Sequence, residues 1–156
     1  MIKKFTAFLF CLLFIPALSY ADKRPLGVGF ILGEPTGLSM KYNLGPTTAI
    51  DGGAAWSFSG KDSFHLHSDL LFHTNNLFSV QNEDIRTNGF DLYYGAGLRL
   101  KFNDGDDSFG IRAPIGLEYL FHDAHLGVFF EFAGILDLTP DTDFNINAGI
   151  GLRYFF

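Results

Sequence analysis

The sequence is poor in the features on which most small exported or nucleic-acid-binding proteins rely. Cysteine occurs once, at Cys11, within the first 21 residues. Disulfides and thiolate metal centres are therefore not expected in the remainder. Beyond those first residues no apolar run approaches the roughly 18 residues of a membrane-spanning helix, which excludes a helical span. Cations are scarce: without Lys3 and Lys4, 9 basic side chains stand against 17 acidic ones, a formal charge of −8. Nucleic-acid binding rewards clustered Lys and Arg, so that class is excluded too. No segment holds the 3.6-residue period of an amphipathic helix over a useful length.

The start of the chain has the organisation of an export signal. Lys3 and Lys4 give a positive beginning, and Phe5 to Leu13 form a short apolar run. Ser19-Tyr20-Ala21 puts small residues at the two positions a signal peptidase reads. The residues before Cys11, Phe8-Leu9-Phe10, lack the small-residue pattern of a lipoprotein signal. The expectation is a cleaved signal peptide over 1–21 and a single domain over 22–156.

What is abundant is phenylalanine, 19 times, and glycine, 18 times. Their placement follows a period of two. Leu26, Val28, Phe30 and Leu32 alternate with Gly27, Gly29 and Ile31. The same pattern recurs over 38–44, 48–58, 64–72, 90–102, 109–121, 126–136 and 144–156. Turn residues stand between most segments: Gly33-Glu34-Pro35, Gly45-Pro46, Ser59-Gly60-Lys61-Asp62, Asn103-Asp104-Gly105-Asp106-Asp107 and Leu138-Thr139-Pro140-Asp141.

One face of every segment is large and apolar. The other mixes glycine with Lys41, Asp51, His65, His67, Asp69, Asp91, Arg99, Lys101, Arg112, Glu118, Glu131 and Arg153. A narrow barrel in lipid needs this distribution, with apolar residues outside and small or paired polar residues within. Closure also satisfies the backbone, as hydrocarbon demands. The predicted fold is all-β: a closed antiparallel up-and-down transmembrane β-barrel of about eight strands. The longest connection, His73 to Gly89, falls on the side of the termini, where turns are normally tight. Either the count there is ten strands, or the barrel has an unusual inner loop, in which Leu77, Phe78 and Val80 extend the fourth strand or lie at the membrane surface.

The last residues, Ala148, Ile150, Leu152, Tyr154 and Phe156 at alternate positions, resemble the C-terminal signature by which the outer-membrane assembly machinery recognises clients. The whole chain after residue 21 resembles small eight-stranded outer-membrane barrels of the OmpA transmembrane-domain and OmpX kind, and most closely small bacterial barrels without an assigned activity. The stretches that carry the likeness are Gly33-Glu34-Pro35-Thr36-Gly37-Leu38, Leu92-Tyr93-Tyr94-Gly95, Arg112-Ala113-Pro114-Ile115-Gly116-Leu117-Glu118-Tyr119 and Gly149-Ile150-Gly151-Leu152-Arg153-Tyr154-Phe155-Phe156. The resemblance implies a Gram-negative outer-membrane location. Its implied partners are lipid and, during biogenesis, periplasmic chaperones and the barrel-assembly machinery. It implies no activity.

Several residues invite sharper chemistry. His65, His67 and Asp69 share a face at metal-ligand spacing, against the simpler reading of lumen residues bonded to Asp51 and neighbouring strands. Glu118 and Glu131 resemble an acid–base pair, but inward Lys41, Arg99, Lys101, Arg112 and Arg153 favour ion pairing. Ser68 is a hydroxyl on the apolar face, with His67 and Asp69 pointing the other way, so it has no base within reach. Asp104, Asp106 and Asp107 around Gly105 lack the full spacing of a calcium loop.

No catalytic, cofactor or metal residue is therefore expected, and no enzyme activity. The expected lumen network is Lys41, Asp51, His65, His67, Asp69, Arg99, Lys101, Arg112, Glu118, Glu131 and Arg153, and the expected assembly signal is Ile150, Leu152, Tyr154 and Phe156. A monomeric barrel with a structural or interaction role leads, followed by a narrow pore and then by a lipid-active enzyme.

Overall fold

The computed structural model describes residues 24–57, 63–74, 90–103, 105–121 and 123–156. The predicted signal peptide over 1–21, Phe58 and the turn at 59–62 lie outside them. So do Asp104 and the connection from 75 to 89, with Leu77, Phe78 and Val80. Eight strands follow in order: β1 (Leu26–Glu34), β2 (Thr36–Asn43), β3 (Thr48–Ser57), β4 (Ser63–Thr74), β5 (Phe90–Asn103), β6 (Ser108–Phe121), β7 (Leu126–Thr139) and β8 (Asp143–Phe155). Each pairs antiparallel with its neighbours in sequence, and β1 pairs with β8 to close the barrel.

The sequence boundaries shift in a few places. Only Pro35 separates β1 from β2, because Gly33 and Glu34 pair with Gly149 and Ala148 of β8 and Thr36 pairs with Trp56 of β3. Leu138 and Thr139 belong to β7 rather than to the following turn, whereas Leu44 lies outside β2. The ten-stranded count fails for a physical reason. β4 and β5 pair continuously from Ser63–Asn103 to Thr74–Leu92, so both ladders are filled and no edge remains for an inserted pair.

Period-two alternation orients every strand. Phe30, Leu38, Trp56, Phe72, Tyr94, Ile115, Phe132 and Ile150 are exposed on the outer face. The inner face is close-packed. Ala49, Leu71, Tyr93 and Phe129 form a buried apolar layer in the half of the lumen nearest the chain termini, with Ile31 packed against it.

Glycines make this interior possible. A Cβ on Gly151 would lie 2.2 Å from the Phe129 ring of the neighbouring strand, its direct cross-strand partner. A large ring over a facing glycine fills a narrow lumen without bending the sheet. Gly151→Ala is therefore expected to destabilise the barrel by about 1–3 kcal/mol through overpacking. Gly45→Ala, at a position with nothing within 4 Å, is expected to be neutral. The midpoint of urea unfolding of the two variants checks the difference.

Candidate functional site: the charged lumen

The charged side chains of the inner face collect into three groups along the lumen. Nearest the termini, Arg153 of β8 is the hub. Its Nη2 donates to Asp51 Oδ2, its Nη1 to Glu118 Oε1 at 3.2 Å, and its Nε to Ser39 Oγ at 3.0 Å. The guanidinium also lies over the Phe129 ring, 3.8 Å from the centroid, so its face and its edge are both used. Lys41 donates to the other oxygen of Glu118.

At mid-height Arg112 of β6 bridges two acids. Its Nε donates to Asp69 Oδ2 at 2.7 Å and its Nη2 to Glu131 Oε1. The Tyr93 hydroxyl donates to Glu131 Oε2 at 2.9 Å. Toward the opposite end, Arg99 of β5 donates to Asp137 Oδ1 at 2.7 Å, and Asn145 Nδ2 donates to Asp137 Oδ2 at 3.1 Å. Every charged residue of these three groups is buried. Charges removed from water at such cost persist only with close partners.

Of the residues singled out from sequence, the structure thus joins Lys41, Asp51, Asp69, Arg99, Arg112, Glu118, Glu131 and Arg153 in ion pairs. His65 does not bond Asp51, as the alternation suggested. Its Nε2 is 2.8 Å from Ser63 Oγ, two residues away on the same face. Asp51 is taken by Arg153 and Asp69 by Arg112, so His65, His67 and Asp69 do not converge on a common point. Among the described residues no group of three His, Cys, Asp or Glu side chains can hold a metal ion.

His67 is half-buried and lines a cavity of about 20 Å³ with Glu34, Ala55, Arg112, Glu131 and Asn147. That is room for about one water molecule. Lys101 is half-buried, between His65 and Ser108 of the flanking strands, outside the three groups. Ser68 is exposed on the outer face. Ile150, Tyr154 and Phe156 are exposed there too, and Leu152 is half-buried.

Sequence reasoning missed Asp137, Tyr93, Ser39 and Asn145. Asp137 carries on the inward parity of Glu131, Ala133 and Ile135, so extending the alternation by one step would have found it. The turn-like Leu138-Thr139-Pro140 concealed that step. Tyr93 is the one aromatic on the inward face of β5, and a buried phenol there is itself a sign that its hydroxyl has a partner.

Removing the hub separates structural pairing from incidental contact. Arg153→Met is expected to cost about 3–5 kcal/mol, because Asp51 loses its cation inside the barrel. Glu131→Ala is expected to cost less, about 1–3 kcal/mol, because Arg112 keeps Asp69 while the Tyr93 hydroxyl loses its acceptor. Equilibrium urea unfolding of the refolded protein in detergent measures both. Equal, near-zero losses would show these charges to be solvated.

No protein-family model matches the chain, and no curated protein matches it. Among solved structures, the N-terminal β-barrel domain of Pseudomonas aeruginosa OprF is similar to it in fold. The TM-score is 0.61 at 16% sequence identity, covering 84% of this chain and 95% of that domain. At that identity the likeness establishes a shared fold, a closed eight-stranded antiparallel barrel, and nothing of activity.

Proposed function

We propose that this chain is an integral outer-membrane β-barrel of a Gram-negative envelope, with a structural role and a lumen closed by its ion-paired network. One observation carries the reading: the usual distribution of residues is inverted. Among the described residues twenty-six large apolar side chains are exposed on the outside, among them Phe144 at 64% and Ile146 at 67%, while Arg153 and Glu118 are each 1% exposed within. An apolar surface wrapping the whole barrel far exceeds the patches that soluble monomers expose. A lipid solvent turns the same surface into a favourable one.

The interior favours a plug over a passage. The layer of Ala49, Leu71, Tyr93 and Phe129 is at most 1% exposed. The Arg153 group packs against it, with the guanidinium over the Phe129 ring, and the Arg112 group joins it through the Tyr93 hydroxyl on Glu131, as expected in a barrel of about eight strands. After cell fractionation the protein is expected in the outer-membrane fraction. Its unheated form is expected to migrate differently from its boiled form on a gel, and the purified protein to give no steady single-channel current in a planar bilayer. Recovery as a soluble periplasmic protein would overturn the membrane reading. Steady conductance would overturn the plug and favour a pore.

A further inference from the structure

The outward apolar band of the barrel is not of even height. On β1 it runs from Leu26 to Leu32 and on β2 from Leu38 to Tyr42. On β6 it runs from Phe109 to Phe121 and on β7 from Leu126 to Leu138. Each residue of a strand tilted by about 40° rises about 2.5 Å along the barrel axis. The band is therefore about 15 Å tall on β1 and about 10 Å on β2, against about 30 Å on β6 and β7.

The missing height lies at the end away from the termini. At the near end β1 and β8 are level, since Phe156 N–H donates to Leu26 O. At the far end Leu32 pairs with Ile150, the β1 pairing stops at Ala148, and β8 carries Ile146 and Phe144 outward beyond it. Phe144 stands roughly 12 Å above Leu32 along the axis. From β2 the edge climbs back along one row of paired residues, Thr36, Trp56, Phe64 and Phe102. Ring centroids along that row are 5.4 Å apart for Trp56 and Phe64, and 6.2 Å for Phe64 and Phe102.

The residues at the low edge are those of a lipid–water boundary. β1 ends on exposed Glu34, whose carboxylate accepts from Ser57 Oγ. β2 begins on Thr36, whose hydroxyl donates to Gly33 O at 2.9 Å. Trp56, paired with Thr36, is the single tryptophan of the chain. Carboxylates avoid hydrocarbon and tryptophan favours the headgroup level.

We propose that the protein thins the leaflet facing away from its termini beside β1 and β2, where lipid meets an apolar wall about half as tall as on β6 and β7. The inference rests on the membrane reading above and deepens it by naming the lipid contact. A bilayer thins around a wall too short for it. A leaflet of full thickness would press hydrocarbon onto Glu34 and Thr36. Tilting the barrel does not remove the mismatch. The band is a wedge, so a tilt that levels its upper edge unlevels the lower edge by as much. The step at the seam also falls between strands only about 5 Å apart.

The test uses the full protein folded into phosphatidylcholine vesicles. Tryptophan depth is read by quenching from lipids brominated either near the ester or near the chain end. Trp56→Phe supplies a silent background for Leu32→Trp and Phe109→Trp at the upper edge, and for Leu26→Trp and Phe121→Trp at the lower. The expected result is that Leu32→Trp reads within about 3 Å of the depth of Phe109→Trp, although the two lie about 10 Å apart along the axis. The lower pair should stay within about 5 Å of each other.

A heat-dependent gel shift shows which variants insert and fold. Failure of the wild type to insert would overturn the membrane reading and the thinning with it. A folded Leu32→Trp quenched chiefly from the chain ends, about 10 Å deeper than Phe109→Trp, would overturn the thinning alone. So would a level upper pair with the lower pair split by about 10 Å or more, which is a tilted barrel in flat leaflets. If Leu32→Trp does not fold, Trp56 of the wild type decides. It should read level with Phe109→Trp, and a position about 5 Å deeper overturns the proposal.

Discussion

Placing guanidinium groups inside a tube too narrow for bulk water is the constraint that the rest of the structure serves. Arg153 illustrates it. Two carboxylates, a serine hydroxyl and an aromatic face meet one side chain, and those partners come from β2, β3, β6 and β7. A cation held from several strands acts as a spacer between walls. Lys41 completes the balance by taking the second oxygen of Glu118. Arg112 repeats the device one layer along, bridging β4 and β7. The interior holds the walls apart and together through charge, where a soluble domain of this size uses oil.

Small residues on the inner face are the counterpart of those bulky charges. Gly151 faces Phe129, Gly116 faces the Tyr93 ring, Gly53 faces the His67 ring, and Gly97 faces Asp69. Each of these four side chains lies across the strand gap over a neighbour that has none. The glycine content of the sequence is thus a packing record. It marks where the lumen is filled from the adjacent strand, and the polar face can alternate between arginine and nothing without leaving large voids.

Period-two alternation made most of the fold legible in the sequence, because a strand with lipid on one side and a packed lumen on the other permits few exceptions over its length. Strand order followed from short turns. What alternation could not show is which inward charge meets which. Pairs such as Lys41–Glu118 and Arg153–Asp51 join residues 77 and 102 positions apart. They depend on strand stagger, and stagger leaves no local mark on the chain. Asp137 was lost at a boundary, where a following Leu-Thr-Pro reads as a turn while its first two residues are still paired with β6 or exposed at the end of β7. The histidines misled in the opposite sense: a shared face was visible, but not that Ser63 and Arg112 had already claimed two of the three groups.

The seam between β1 and β8 has a kinetic side. Seven of the eight strand junctions link neighbours in sequence, and each has few residues to bring together apart from the connection between β4 and β5. The eighth joins Gly27 to Phe155, so it closes a loop of nearly the whole described chain. Loop-closure entropy makes such a contact slow to form, and nothing short-range rewards a partial attempt. Until that seam zips, the sheet has two free edges and its charged face is wet. Once it zips, both edges vanish and Arg153, at the seam, is enclosed with its acids. Pairing and burial therefore arrive in one event, which gives a protein built of seven local hairpin steps a single cooperative commitment at the end.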